Sequence, residues 1–90
     1  MNEMIFEGVV LDKTPDVSFT DRNGTMHNEC TILVETEEMY PQRLAIRLLD
    51  ALCADAPNAG KKVRCHLRCR VSTGTSGKWF NDIKAWRIAA

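Results

Sequence analysis

Residues 61–71, Lys-Lys-Val-Arg-Cys-His-Leu-Arg-Cys-Arg-Val, alternate small apolar residues with basic ones almost without a break. A side-chain period of two predicts a strand with Val63, Cys65, Leu67, Cys69 and Val71 on a core face and Lys62, Arg64, His66, Arg68 and Arg70 on the opposite face. The same alternation recurs upstream. Met4 to Lys13 predicts a first strand with Phe6, Gly8 and Val10 in one phase, and Thr25 to Thr36 a second with Cys30, Ile32 and Val34 in phase. Gln42 to Leu48 predicts a third, with Leu44, Ile46 and Leu48 inward and Arg43, Ala45 and Arg47 outward. Thr14-Pro15-Asp16 and Asp21-Arg22-Asn23-Gly24 bracket a loop between the first two strands, with a turn signal at Asn23-Gly24. After the small-residue loop Ser72 to Gly77, Trp79 to Ile88 predicts a last, aromatic-rich strand.

Only Asp50-Ala51-Leu52-Cys53-Ala54-Asp55-Ala56 reads as helix, with Asp50 placed to cap it and Pro57 to Gly60 ending it. Three strands, a short helix and two more strands is the order of an all-β, five-stranded Greek-key barrel of the OB-fold type, with strand order β1-β2-β3-α-β4-β5. Ninety residues suffice for one small core, so residues 1–90 are expected to form a single domain. The expected core is Phe6, Val10, Ile32, Val34, Leu44, Ile46, Leu48, Val63, Leu67 and Val71, together with at least one of Phe80 and Trp86. Phe19, Tyr40 and Trp79 flank loops or a strand start and are expected to be exposed.

Charge changes this picture. Lys and Arg number 12 and Asp and Glu 12, yet residues 1–60 hold four cations against eleven anions and residues 61–90 hold eight against one. The chain is formally neutral but dipolar, −7 in its first part and +7 in its second. Like charges lined up along a strand repel one another, so something negative is expected beside the basic stripe. That partner is either a nucleic acid or the acidic half of the chain itself. A near-neutral pI of about 6.7 argues for weak or local nucleic-acid binding, since dedicated non-specific binders are basic overall.

Candidate chemistry is sparse. Cys65 and Cys69 would lie about 13 Å apart along a strand, too far to share a metal ion or a disulfide, and no Cys-x2-Cys pair occurs. The four cysteines, Cys30, Cys53, Cys65 and Cys69, are therefore read as core packing, with zinc as the second reading, and neither a metal site nor a cofactor is expected. His27 and His66 sit on outward phases with no nucleophile placed beside them by a motif, and no glycine-rich phosphate loop precedes the helix, so no enzyme is expected. No apolar run approaches the roughly 20 residues that span a bilayer, and the start Met-Asn-Glu-Met-Ile-Phe-Glu lacks a signal peptide's basic and apolar regions. The expected setting is the cytoplasm, without membrane contact.

The Gly8-centred first strand, Met39-Tyr40-Pro41-Gln42 entering the third, and the ending Gly77-Lys78-Trp79-Phe80-Asn81-Asp82-Ile83-Lys84-Ala85-Trp86-Arg87-Ile88 resemble a known group. It comprises short bacterial and phage OB-fold proteins of unknown function, distantly similar to single-stranded-DNA-binding proteins. The resemblance runs over essentially the whole chain and implies an OB-fold with a nucleic-acid role. The sequence ends Arg87-Ile88-Ala89-Ala90, with neither the glycine-rich region nor the acidic tail of the better-known single-stranded-DNA-binding proteins, so a partner-recruiting hub role is not expected.

Two functions follow as expectations. In the first, single-stranded nucleic acid, DNA before RNA, binds weakly and without strong sequence preference. Arg43, Arg47, Lys62, Arg64, His66, Arg68, Arg70 and Lys78 would track phosphates, and Trp79 or Tyr40 would stack on bases. In the second, the same cations meet acidic residues of a protein partner in an assembly module. Ile5, Val9 and Leu11 oppose the core phase of the first strand, so a homodimer or higher homo-oligomer is expected through that strand, which in the similar single-stranded-DNA-binding proteins commonly contributes to the dimer contact.

Overall fold

The computed structural model describes residues 3–89; Met1, Asn2 and Ala90, on which the expectations about the chain's start and end partly rest, lie outside them. Five strands form where the alternation predicts them, β1 (Met4–Lys13), β3 (Met26–Glu35), β4 (Arg43–Leu49), β5 (Lys62–Thr73) and β6 (Trp79–Ala89), and one more, β2 (Val17–Thr20), where it does not; the helix α1 (Ala51–Asp55) lies between β4 and β5. Hydrogen bonding runs in the order β1-β5-β6-β4-β3-β2, and β1 also pairs with β3, which brings the sheet back on itself. Closure between β4 and β6 is parallel and rests on a single residue pair, Arg47 with Lys84. This is an OB-fold barrel, barely closed at one seam. No helix among the described residues is long and apolar enough to cross a membrane.

One strand serves two partners. β1 pairs with β5 over Met4–Val9 and with β3 over Val9–Lys13, its register slipping between Val10 and Asp12 where it bends. Val10, Ile32, Val34, Ile46 and Leu48 are fully buried, Cys30, Val63, Leu67 and Ala85 nearly so, and Phe6 and Leu44 pack against them. α1 covers one end of the barrel by inserting Cys53. Leu67→Ala is expected to cost about 2 to 5 kcal/mol through the cavity it leaves, whereas Val71→Ala, 64% exposed, should stay within about 0.5 kcal/mol. Urea denaturation of the two variants measures the contrast.

Several expectations are corrected. The segment read as loop contains a sixth strand: Val17–Thr20 pairs antiparallel with Met26–Glu29. Its four residues are all exposed, so no burial alternation marked it in the sequence. The Asn23-Gly24 turn does close this hairpin, with Gly24 at φ 82° and the Asp21 carboxylate accepting from the Asn23 and Thr25 amides at 2.8 and 2.9 Å.

Asp50 does not cap α1 through its side chain; it sits at φ 52° and its carboxylate turns back to accept from the Asn28 amide at 3.2 Å. Cys69 and Val71 are exposed, because β5 outruns the barrel and its last residues pair only with β6. Phe80 and Trp86, one of which was expected in the core, are 55% and 45% exposed. The resulting β5–β6 arm is consistent with a radius of gyration of 14.0 Å, above the roughly 12 Å of a compact chain of this length.

Candidate nucleic-acid interface

The basic stripe on β5 divides into two halves with different partners. Near the barrel, strand register places carboxylates against it. Glu7 stands opposite Arg64 in the β1–β5 ladder, and Arg64 Nε donates to it at 2.9 Å. His66 Nδ1 meets Glu3 at 2.6 Å, and Lys62 meets Glu37 at 3.4 Å. The β4 cations are treated alike: Arg43 donates to the opposing Glu35 at 2.7 Å, and Arg47 lies between Asp82 at 3.1 Å and Glu29 at 3.5 Å. On β5 the acidic part of the sequence thus pairs with the basic part, while Arg43 and Arg47 belong to the acidic part themselves. Exposed pairs of this kind contribute at most about 1 kcal/mol each, so their consequence is local charge rather than stability.

Beyond Leu67 the stripe is different. Arg68, Arg70 and Lys78 make no ion pair among the described residues, and all three are exposed. A bulge in β6 sets two residues, Trp86 and Arg87, against His66; Ala85 faces the core and Trp86 the outer face. There the Trp86 ring lies 5.4 Å from the His66 ring, with the Arg68 guanidinium 5.9 Å from its centroid. Towards the tip, Trp79 is 80% exposed but pairs with Thr73, on the face opposite Arg68 and Arg70, and Phe80 lies over Gly74, where a Cβ would stand 2.6 Å from the ring.

A cleft of about 500 Å³ at the root of the arm is lined by Arg68, Arg70 and Lys84 against one carboxylate, Asp82. A second cleft, about 560 Å³, sets Glu7, Glu37 and Glu38 against Lys62 and Arg64, a balance that disfavours phosphate. The ion pair of Glu37 with Lys62 ties the β3–β4 loop, which carries the exposed Tyr40, to the start of β5. From Lys62 to Arg70 is about 26 Å of strand, so Tyr40 does not share a site with Trp79. The expected residues therefore fall into two groups: Arg68, Arg70, Lys78 and Trp79 on the arm, and Arg43, Arg47, Lys62, Arg64, His66 and Tyr40 on an ion-paired barrel surface. Trp86 and Lys84 join the first group and were not singled out from the sequence.

Residues 6–89 match the family described as a domain of unknown function, DUF3127. The chain belongs to that family. No curated protein matches it in sequence. Among solved structures, the DUF3127 chain is similar to the SSB domain of a Synechococcus sp. protein, at TM-score 0.67 and 15% identity over 100% of this chain and 96% of that one. It is also similar to the second OB-fold domain of replication protein A from Methanococcus maripaludis, at TM-score 0.68 and 17% identity over 98% and 82% of the two chains. The single-stranded DNA binding protein from Thermus aquaticus aligns at TM-score 0.62 and 14% identity over 99% of this chain and 49% of its own. At these identities the likeness establishes the OB-fold.

The DUF3127 fold also assembles a cluster that sequence reasoning missed. His27 on β3 is held between two carboxylates, Nε2 at 2.8 Å from Asp21 and Nδ1 at 3.0 Å from Asp50, with Phe19 stacked on its ring at 5.3 Å. The bond to Asp21, then that to Asp50, raises the His27 pKa above its ordinary 6.5; the bond to His27 lowers both carboxyls below 3.8. Stability from the raised histidine is complete below 6.5 and is lost as pH climbs through its folded value. Stability from the carboxylates is present above 3.8 and is lost as pH falls through their depressed values. The melting-temperature gap between the native protein and His27→Gln is therefore expected to be widest between pH 3.8 and 6.5 and to shrink on either side. A gap that does not change with pH would rule out the ionic clamp.

Cysteines complete the site chemistry. Burial pushes the Cys65 thiol up to about 11. Burial, and then the neighbouring Cys53, push Cys30 up to about 12. The sulfurs of Cys30 and Cys53 and a carboxylate oxygen of Asp16 lie within 4.8 Å of one another. Sequence spacing gave no hint of this, because the three come from a loop, a strand and a helix.

Proposed function

We propose that this chain binds single-stranded nucleic acid weakly and without strong sequence preference along the outer face of the β5–β6 arm, as a non-catalytic module. The observation that carries the reading is the group of cations without ion pairs among the described residues: Arg68 and Arg70, which run out from Trp86 along the outer face of β5–β6, and Lys78 at the tip, where Trp79 is exposed on the opposite face. Such a surface offers phosphates a positive track and bases a π-face, with stacking worth about 1 to 3 kcal/mol per base. The three structural neighbours, named for SSB, replication protein A and single-stranded DNA binding, support the choice of ligand class. Ion-paired Arg43, Arg47, Lys62, Arg64 and His66 extend the track as weaker contacts, since phosphate must displace a carboxylate there.

The setting proposed is the cytoplasm, which suits three buried free cysteines. Homo-oligomerisation through the outer phase of β1 belongs to the same reading: Ile5 is 45% and Leu11 36% exposed. Val9→Lys should abolish association in sedimentation.

The test is a labelled oligothymidine titrated with protein at low salt. Binding in the tens of micromolar and quenching of tryptophan fluorescence are expected. With Arg68, Arg70, Lys78 and Lys84 each meeting a phosphate, log K should fall against log salt with a slope near −3, from about −0.7 per contact. An oligonucleotide that fails to bind at low salt would favour the assembly-module reading, in which the arm meets an acidic protein surface.

A further inference from the structure

The cluster of Asp16, Cys30 and Cys53 is not used by nucleic-acid binding, and packing alone does not account for it. Two buried thiols can serve as small hydrophobes, but their packing does not call for a carboxylate oxygen within 4.8 Å of both sulfurs. We propose that Cys30, Cys53 and Asp16 form a binding site for a thiophilic divalent cation of the zinc class.

Spacing supports the assignment. Ligand atoms about 2.0 to 2.3 Å from a tetrahedral zinc ion are themselves about 3.3 to 3.8 Å apart, so three donors already within 4.8 Å need only small side-chain rotations to close on the ion. Two sulfurs and a single carboxylate select a soft or borderline cation over magnesium or calcium, which require six or more oxygens. Asp16 is exposed, which places an entry path on the solvent side and leaves the fourth position to water.

Charge balances as well. Binding replaces two S–H bonds by two metal–sulfur bonds and releases two protons, so two thiolates and a carboxylate face a divalent cation with one negative charge in excess. The Lys13 ammonium supplies the missing positive charge: Nζ lies 3.9 Å from the Asp16 carboxylate and donates to the Cys53 carbonyl at 2.7 Å. The filled site is neutral and joins the β1–β2 connection, β3 and α1 at the end of the barrel that the five-residue helix covers. Domains of this size commonly rely on such staples.

The experiment titrates Co²⁺, then Zn²⁺, into reduced, chelator-treated full-length protein. One equivalent of Co²⁺ should produce thiolate-to-cobalt charge-transfer absorption, release two protons, and be displaced by Zn²⁺. The Zn²⁺-loaded protein should melt at a higher temperature than the metal-free one. Cys30→Ser should abolish the absorption and Cys69→Ser should leave it intact. Asp16→Asn, at an exposed position that does not endanger folding, should weaken binding by at least the roughly 10- to 100-fold that loss of a supporting metal-site partner costs. Should Cys30→Ser fail to fold, Asp16→Asn decides alone. Absence of the charge-transfer band, its survival in Cys30→Ser, its loss in Cys69→Ser, or unchanged affinity in Asp16→Asn would overturn the proposal.

Discussion

Gly8→Ala is expected to destabilise the protein by about 3 kcal/mol or more, the upper part of the range for overpacked cores, although it adds one methyl group. A Cβ at this position would overlap the carbonyl oxygen of Glu35 and stand 2.7 Å from its carbonyl carbon and 3.0 Å from Val34 Cγ1. The obstructing atoms are chiefly backbone. Glu35 is paired with Val9 on one side and Arg43 on the other, so it cannot retreat without breaking the β1–β3 or the β3–β4 ladder. Gly8 is where β1 passes from β5 to β3, and the barrel depends on that crossing. A loss of 3 kcal/mol corresponds to about 12 to 24 °C in melting temperature for a domain of this size. Denaturant and thermal unfolding would both report it, and a change below about 0.5 kcal/mol would show that β1 accommodates a side chain at the crossing.

Reversal of charge at Arg68 and Arg70 should have the largest effect on binding. If each arginine contributes a charge-assisted contact of about 1.5 kcal/mol or more, the double Arg→Glu variant loses at least 3 kcal/mol, on the order of 100-fold in affinity. Both side chains are exposed on the arm, so the barrel should fold as before. The paired control is Arg43→Glu with Arg64→Glu. These arginines already hold Glu35 and Glu7, so a change of less than about threefold in oligothymidine affinity is expected. Equal losses in the two double variants, measured by fluorescence anisotropy, would move the interface from the arm to the barrel surface.

The strands of the barrel were legible because each has one buried face. Cys30, Ile32 and Val34 on β3, Ile46 and Leu48 on β4, and Val63, Cys65 and Leu67 on β5 alternate with residues that are polar except for Leu33, and all are buried as that period requires. The same rule failed where burial on one face stops. β2 has no buried face and was read as loop, while Cys69 and Val71 keep the alternation of β5 after the core has ended. Trp86 was misplaced for a different reason. A bulge lets Ala85 and Ile88, three apart, both face the core, so alternation counted back from Ile88 puts Trp86 on the wrong side.

By itself the sequence determined the order of strands and helix, the core of the barrel and the opposed charges of its two halves, since these follow from periodicity and composition along the chain. Only tertiary structure decided which cations are left without an ion pair among the described residues. Arg64 and Arg68 are equivalent in the sequence, yet strand register sets Arg64 against Glu7 and leaves Arg68 beside Trp86. The clamp on His27 and the grouping of Asp16, Cys30 and Cys53 were decided in the same way. Their members meet through the closing of a barrel, and contacts between segments far apart in the chain have no period for a sequence to display.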